Sequence, residues 1–165
     1  MSNINRTGRT VLRFIAAAGF VAAALSVTAG AAFAGSCPPD KVGINVTKPG
    51  ATEPKDVKDT VLAGIDLGKE IPGFEGRKLR TRMLEIQPGG VVPWHSHEDR
   101  PALIYVLEGT VTEYASNCAV PIEHKAGDIS IETKEVAHWW KNTGKTVVKL
   151  LSSDVFHDQK TVSME

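Results

Sequence analysis

The chain has 165 residues, of which 42% are hydrophobic, and its 19 basic residues balance its 19 acidic residues. This hydrophobic content excludes an intrinsically disordered chain. Because there is neither a basic excess nor a basic run, the composition also excludes a protein that binds nucleic acid through its phosphates. The length suits one folded domain.

The first 34 residues have the organisation of a secretory signal peptide. They contain three arginines near the start and no acidic residue, and an apolar run begins at Phe14. The run ends in small residues, and Ala32-Phe33-Ala34 has the A-x-A form of a cleavage site. We therefore expect cleavage after Ala34 and an exported product, periplasmic or secreted. A membrane anchor is the alternative for this segment; no later apolar run is long enough to span a bilayer, so we expect no stable membrane span after cleavage.

Export would place the two cysteines in an oxidising compartment. In an oxidising compartment the isolated pair Cys37 and Cys118 predicts one disulfide. It would close a loop of about 80 residues and stabilise the fold by a few kcal/mol. Lipidation of Cys37 is the alternative, although the residues before it lack the leucine usual at the start of a lipobox.

Residues 35–165 have the composition and the spacing of turn residues that are typical of an all-β domain. They carry all nine prolines, 12 of the 15 glycines and a net charge of −3. Prolines and glycines separate short apolar runs, and strands at this spacing predict a sandwich or barrel. We predict a turn at residues 88–90 and strands over 60–67, 78–87, 91–97, 102–107, 111–115, 128–132, 137–141 and 147–152.

Three of the five histidines are candidate metal ligands. His95 and His97 are separated by one residue, so on a strand they point to the same side, about 6–7 Å apart. Two imidazoles in this arrangement can bind one metal ion, and His138, on a separate predicted strand, can supply a third ligand. The alternative is two surface histidines and one histidine packed in the core.

The surroundings of the first pair resemble the first sequence motif of the cupin superfamily. That motif runs G-x5-H-x-H, then three or four residues, Glu, six residues and Gly. In this chain Gly89, His95, His97 and Gly109 fall at the matching positions.

The second cupin motif, G-x5-P-x-G-x2-H-x3-N, is also present in the expected order. Gly127, His138 and Asn142 match it, while Thr133 and Glu135 stand where proline and glycine are usual. Two ordered motifs about 20 residues apart make the resemblance specific, and it covers roughly residues 80–155.

The resemblance implies an all-β fold, a cupin-type double-stranded β-helix (jelly-roll) barrel. We assign the barrel to residues 71–165, preceded by a lead-in with a first strand over residues 35–70. Cupins hold a metal inside the open end of the barrel, and the ligands carried over from the motifs are His95, His97 and His138. Cupin barrels are often dimeric, which leaves a homodimer open.

The glutamate ligand of the first motif has no counterpart. Counting back from the final glycine of the motif puts Ala102 at its position, and the shorter spacing puts Pro101 there. Glu98 and Asp99 lie close in sequence but in the connecting loop. We therefore expect a three-histidine site, similar to those of cupin-type thiol and diketone dioxygenases.

Three neutral imidazoles leave a divalent ion at a formal charge of +2. Such a site should favour an anionic ligand, and imidazole ligation suits Fe, Ni, Cu and Zn better than Mn or Mg. The predicted cofactor is therefore a divalent transition metal of unassigned identity, and the predicted partner is a small anionic molecule.

Strand parity identifies candidate walls of a binding pocket. Trp140 shares the face of His138, and Ile104 and Val106 share the face of position 102, so all three are predicted to border a cavity. Plain core packing is the alternative for Trp140.

Basic residues near the motifs are candidate anion ligands. Arg80 and Arg82 share one strand face and would clamp an anion if that face is the interior, or lie in solvent if it is not. Arg100 is a similar candidate at the cavity mouth. We expect His124 on the surface, with support of the site or a role as general acid/base as the alternatives.

Three functions stay open at this stage. The chain is a metal-dependent enzyme, dioxygenase-like, acting on a small anionic molecule; or a non-catalytic cupin that binds a metal or small molecule; or a barrel whose histidines are structural. A barrel of this kind hosts many chemistries, so the fold does not select among them.

Overall fold

A computed structural model of the chain describes residues 35–157, so the predicted signal peptide lies outside the described residues. In this part, no helix is long and apolar enough to cross a membrane. The described residues contain eight strands and two 3-10 turns, Pro39–Lys41 and Leu67–Lys69. The strands are β1 Lys55–Asp66, β2 Arg77–Ser96, β3 Ala102–Glu108, β4 Thr110–Ala115, β5 Ile122–Lys125, β6 Ile129–Glu132, β7 Ala137–Lys141 and β8 Val148–His157.

The strands form an antiparallel, nearly closed barrel, which confirms the predicted all-β jelly-roll class. Their order is β5-β4-β7-β2-β8-β3-β6, and β1 pairs with β2 from outside this path. The first half of β2 pairs with β1 and β8, whereas its second half pairs with β7. The long strand β2 therefore belongs to both layers of the barrel and joins them.

The joint lies where the sequence predicted a turn. β2 runs through residues 88–90 without reversing. Its pairing with β8 ends at Ile86, and its pairing with β7 begins at Val91. Gly89 has a φ of 78° at this corner. A Cβ on Gly90 would lie 2.8 Å from a backbone oxygen, so the close approach requires glycine. The predicted turn is wrong, and the glycines serve a change of layer instead.

The apolar core lies between the two layers. Alternate residues of five strands, β2, β3, β4, β7 and β8, point inward and form one buried cluster, as expected for a half-buried pleat. Its members are Leu84, Ile86, Ala102, Ile104, Val106, Val111, Trp140, Val148 and Leu150.

The predicted disulfide between Cys37 and Cys118 is present. It fastens the segment before β1 to the loop after β4. Val42 forms an isolated β-bridge with Cys118, and the Thr47 hydroxyl donates a hydrogen bond of 2.5 Å to the Cys118 carbonyl oxygen. The proposed division between residues 35–70 and 71–165 stays a prediction, although β1, from the first part, pairs with β2 along most of its length.

Loss of this disulfide should destabilise the protein by about 2–4 kcal/mol, because the cross-link spans 81 residues and restricts the unfolded chain. Urea unfolding of the exported protein with and without reductant measures the difference. The double variant Cys37→Ser, Cys118→Ser is the control and should not respond to reductant. An unchanged wild-type midpoint under reducing conditions would contradict the prediction.

Candidate metal centre

Two strands bring the three candidate ligands together. His95 lies near the end of β2, directly across from His138 on β7, and His97 follows immediately after β2. The Nε2 atom of His97 lies 3.0 Å from Nε2 of His95 and 3.0 Å from Nε2 of His138, and the remaining pair is 3.3 Å apart. Metal–imidazole bonds are about 2.0–2.1 Å long, so one ion can contact all three nitrogens.

Hydrogen bonds on the far side of the rings fix which nitrogen carries the proton. Nδ1 of His95 lies 2.8 Å from the Pro93 carbonyl oxygen, and Nδ1 of His97 lies 2.8 Å from the Arg100 carbonyl oxygen. A carbonyl oxygen only accepts, so each Nδ1 donates its proton and leaves a lone pair on Nε2. The third ring makes the same kind of bond to a carboxylate.

The three lone pairs therefore face one another with no proton between them. Burial, together with the His138 ring, lowers the pKa of His95 to about 3, and burial lowers that of His97 to about 4. Both rings are thus neutral at physiological pH, which is the form that binds metal. Three convergent imidazole lone pairs form a donor set that fits a divalent transition metal.

Behind His138 lies a buried polar cluster. Glu113 Oε1 accepts a hydrogen bond of 2.6 Å from Nδ1 of His138, and Glu113 Oε2 accepts one of 2.8 Å from Nε2 of His124. Glu132 Oε2 lies 3.2 Å from the same Nδ1. His124 is fully buried, so the expectation that it lies on the surface is wrong.

The pKa values of the two carboxylates of this cluster are shifted in opposite directions. Burial opposes ionisation of Glu113, but hydrogen bonds from His124 and His138 outweigh it and hold the pKa of Glu113 at about 2. Burial, with the nearby Glu113 charge, raises the pKa of Glu132. Both residues were missed by the sequence reasoning, although Glu113 alternates with Val111 and lies on the same inward strand face.

A cavity of about 460 Å³ adjoins the three histidines. Ile104 and Trp140 line it together with Leu84, Val92 and other apolar residues, and both also belong to the apolar core. Val106 has the predicted inward orientation but is fully buried within the apolar core. The space beside the candidate ligands is thus mainly apolar, as in most small-molecule sites.

Arginines line one side of this cavity. Arg82 and Arg100 both border it, whereas Arg80 makes a bidentate pair with the buried Asp154, at 3.0 and 2.8 Å, and stacks on the Phe156 ring. Arg82 and Arg100 also approach Asp154, at 3.4 and 3.8 Å. The sequence left open whether Arg80 and Arg82 face the interior or solvent; their side chains are 16% and 13% exposed, and Arg82 but not Arg80 borders the cavity.

Like charges lie close together in this arginine group. Arg82 and Arg100 both approach Asp154, and Arg82 is also paired with Asp59. Burial and the neighbouring Arg82 lower the pKa of Arg100, and Asp154 only partly compensates. An anion in the cavity would reduce this repulsion.

The position of the missing motif glutamate lies between two other carboxylates. Ala102 is paired with Glu132 on β6 and with Asp154 on β8, and all three side chains are buried. Glu98 and Asp99 are exposed in the loop, where Asp99 bonds to other partners. Neither loop carboxylate joins the three histidines in the described structure.

Comparisons with known proteins identify the family. A family model for the cupin domain matches residues 82–154. Nectarin-1 of Nicotiana plumbaginifolia is 24% identical over 111 residues, covering 66% of this chain and 47% of the relative. Germin-like protein subfamily 3 member 1 of Arabidopsis thaliana is 31% identical over 80 residues, covering 47% of this chain and 38% of the relative. The chain spans about half the length of the curated relatives it matches.

A solved structure supports the same fold. A predicted oxalate decarboxylase from Thermotoga maritima is 19% identical with a TM-score of 0.51, and the match covers 70% of this chain and 97% of that chain. At this identity the likeness concerns the fold alone. The barrel topology, the two motifs and the domain match agree, and the chain belongs to the cupin superfamily.

Proposed function

We propose that this chain is an exported metalloprotein that holds one divalent transition metal through His95, His97 and His138 and binds a small anionic molecule in the adjoining cavity. The observation that carries the proposal is the convergence of three Nε2 atoms within 3.0–3.3 Å. The disulfide is consistent with export, because such bonds persist in oxidising compartments.

The cavity supports a reaction on an anionic substrate. Arg82 and Arg100 lie on its wall and are suited to bind a carboxylate or enolate, while Trp140 and Ile104 exclude water. A bound metal of this class supplies Lewis acidity or, when it is iron, activation of dioxygen. We therefore propose a dioxygenase-like enzyme.

A non-catalytic cupin that stores a metal or small molecule is the second candidate. Apart from the three histidines, the charged side chains that line the cavity are Asp59, Arg82 and Arg100. Asp59 is paired with Arg82, so among the described residues the lining offers no spare carboxylate or imidazole as a general base. This observation favours binding without turnover.

Metal content tests the shared part of both candidates. Wild-type protein, expressed with export and purified without a chelator or histidine tag, should contain about one Fe, Ni, Cu or Zn per chain, since three ligands converge on one point. His95→Ala should lose it, and His157→Ala, a histidine outside the group, should keep it. Elemental analysis makes the measurement. A wild type that stays metal-free when offered each ion would contradict the proposal.

Oxygen uptake separates the two candidates. With thiols, diketones and flavonols as probes, the iron-loaded protein should consume dioxygen with one class. Arg100→Gln should raise KM about tenfold or more, because a charge-assisted hydrogen bond contributes about 1.5–3 kcal/mol. Arg77→Gln, which alters an arginine paired with Asp99 outside the cavity lining, is the matched control. Stoichiometric retention of a probe without oxygen uptake would support the storage protein instead.

The outer face of β3 and β6 suits a second copy of the chain. Leu103 is paired with Ile131 and Tyr105 with Ile129, and these apolar side chains are 53%, 70%, 39% and 55% exposed, respectively. A contiguous apolar patch of this kind usually marks an interface. Lys149 and Glu108 form an ion pair beside it, and such mixed charge lets the same surface pair with itself about a two-fold axis. We therefore infer a homodimer through this face.

Light scattering after size-exclusion chromatography should give the mass of a dimer for the wild type. Leu103→Glu should give a monomer, because it places a charge within the apolar face. Ile44→Glu, at an exposed apolar residue of the lead-in, should remain dimeric. A wild type that is monomeric at all accessible concentrations would refute this interface.

A further inference from the structure

Glu113 occupies an unusual place for a carboxylate. It is 3% exposed and lies between two imidazoles, with His138 on β7 and His124 on β5 each bonded to a different oxygen, at 2.6 and 2.8 Å. β4 pairs with both of these strands, so the backbone sets the position of all three side chains. A carboxylate that accepts a hydrogen bond from both rings carries a negative charge.

We propose that Glu113 is a positioning residue for the metal centre: through Nδ1 of His138 it fixes the orientation of that ligand and supplies the negative charge that Ala102 does not. The inference rests on the proposed metal site. A carboxylate bonded to the far nitrogen of a metal-bound histidine fixes its tautomer and makes it a stronger ligand. The formal charge of +2 at a three-histidine centre is thereby partly compensated from behind the ligand.

His138 is the ligand best suited to transmit this charge. The other two rings donate to neutral backbone carbonyl oxygens, and only His138 donates to a carboxylate among the three. The indole nitrogen of Trp140 also lies 3.2 Å from Nδ1 of His138. Nδ1 of His138 donates its proton to Glu113 over the shorter distance. It therefore has no lone pair left to accept a hydrogen bond from the indole N–H.

His124 holds Glu113 from the other side. Its ring is fully buried, bonds to Glu113 through Nε2, and stacks on Trp140 with ring centroids 4.7 Å apart. The carboxylate is therefore restrained at both oxygens and cannot rotate away from His138. This rigidity is what a supporting residue of a metal ligand needs.

Glu132 is the competing carboxylate. It lies farther from Nδ1 of His138, at 3.2 Å, and its Oε1 has no partner among the described residues. Glu113, Glu132 and His138 also offer three ligand atoms within 4.8 Å of one another, which raises the alternative of a second metal site. A cation there would need the Nδ1 lone pair of His138, which the hydrogen bond to Glu113 removes.

Cobalt binding tests the proposal on the whole exported chain. Glu113→Gln preserves the shape of the side chain but removes its charge and one of its two acceptor oxygens. Competition with a chelator should show Co²⁺ affinity reduced about 10–100-fold. The visible spectrum of bound Co²⁺ should also change, which a loss of stability alone would not cause. Glu132→Gln is the matched control and should keep the wild-type affinity and spectrum.

A measurement on the wild type covers the case in which Glu113→Gln does not fold. In the Zn²⁺-loaded protein, nitrogen-edited NMR should detect a proton on Nδ1 of His138, shifted downfield by the carboxylate. A His138 ring without a proton on Nδ1 would overturn the proposal.

The remaining outcomes distinguish this inference from the proposed function. Wild type and Glu113→Gln binding Co²⁺ with equal affinity and equal spectra would refute the role of Glu113 and leave the metal site intact. Two Co²⁺ ions per chain, with one lost in Glu132→Gln, would establish a second metal site and overturn the role given to Glu113. A wild type that binds no Co²⁺ would refute the metal site itself, and this inference with it.

Discussion

Three imidazole nitrogens that face one another with no proton between them are the constraint on which the rest of this structure depends. Mutual repulsion of their lone pairs would drive the rings apart in a flexible chain. The barrel prevents this by using the opposite nitrogen of each ring, which is bonded to a backbone carbonyl at His95 and His97 and to Glu113 at His138. Folding supplies the free energy needed to arrange the ligands. A metal ion that binds at the site does not have to supply it, so its affinity is higher.

The same constraint explains the charges around the cavity. A dipositive ion beside two cavity-lining arginines would create a positive space that favours an anionic ligand. Asp154 pairs with Arg80 and approaches Arg82 and Arg100, which holds the arginines in place. Glu113 bonds to the candidate ligand His138. Asp59, the carboxylate in the cavity lining, is paired with Arg82, whereas Asp154 and Glu113 lie behind the cationic groups, which leaves the cavity available to an anion.

The sequence predicted the parts of the site that follow from local periodicity and left out those that depend on strand pairing. Residues two apart on a strand share a face, so the histidine pair and the inward positions of Ile104 and Trp140 were predictable. The bond between Glu113 and His124 joins two strands, and a lone carboxylate in a strand is usually solvated, so the alternation of Glu113 with Val111 did not by itself predict a role for it. The same limit applies to residues 88–90, where glycines that normally mark a reversal instead allow β2 to pass between layers.

The unsatisfied polar groups of the barrel point to where its function lies. Among the described residues, the buried side-chain atoms without a hydrogen-bond partner belong to Arg82, His124 and Glu132. One lines the cavity and the other two lie behind His138, whereas the main apolar cluster contains no charged side chain. Each such atom costs about 1–3 kcal/mol, comparable to what the disulfide contributes. A fold that concentrates these costs around one set of histidines departs from optimal packing where the proposed ion and anion would bind, and the departures extend beyond the candidate ligands to the residues that support them.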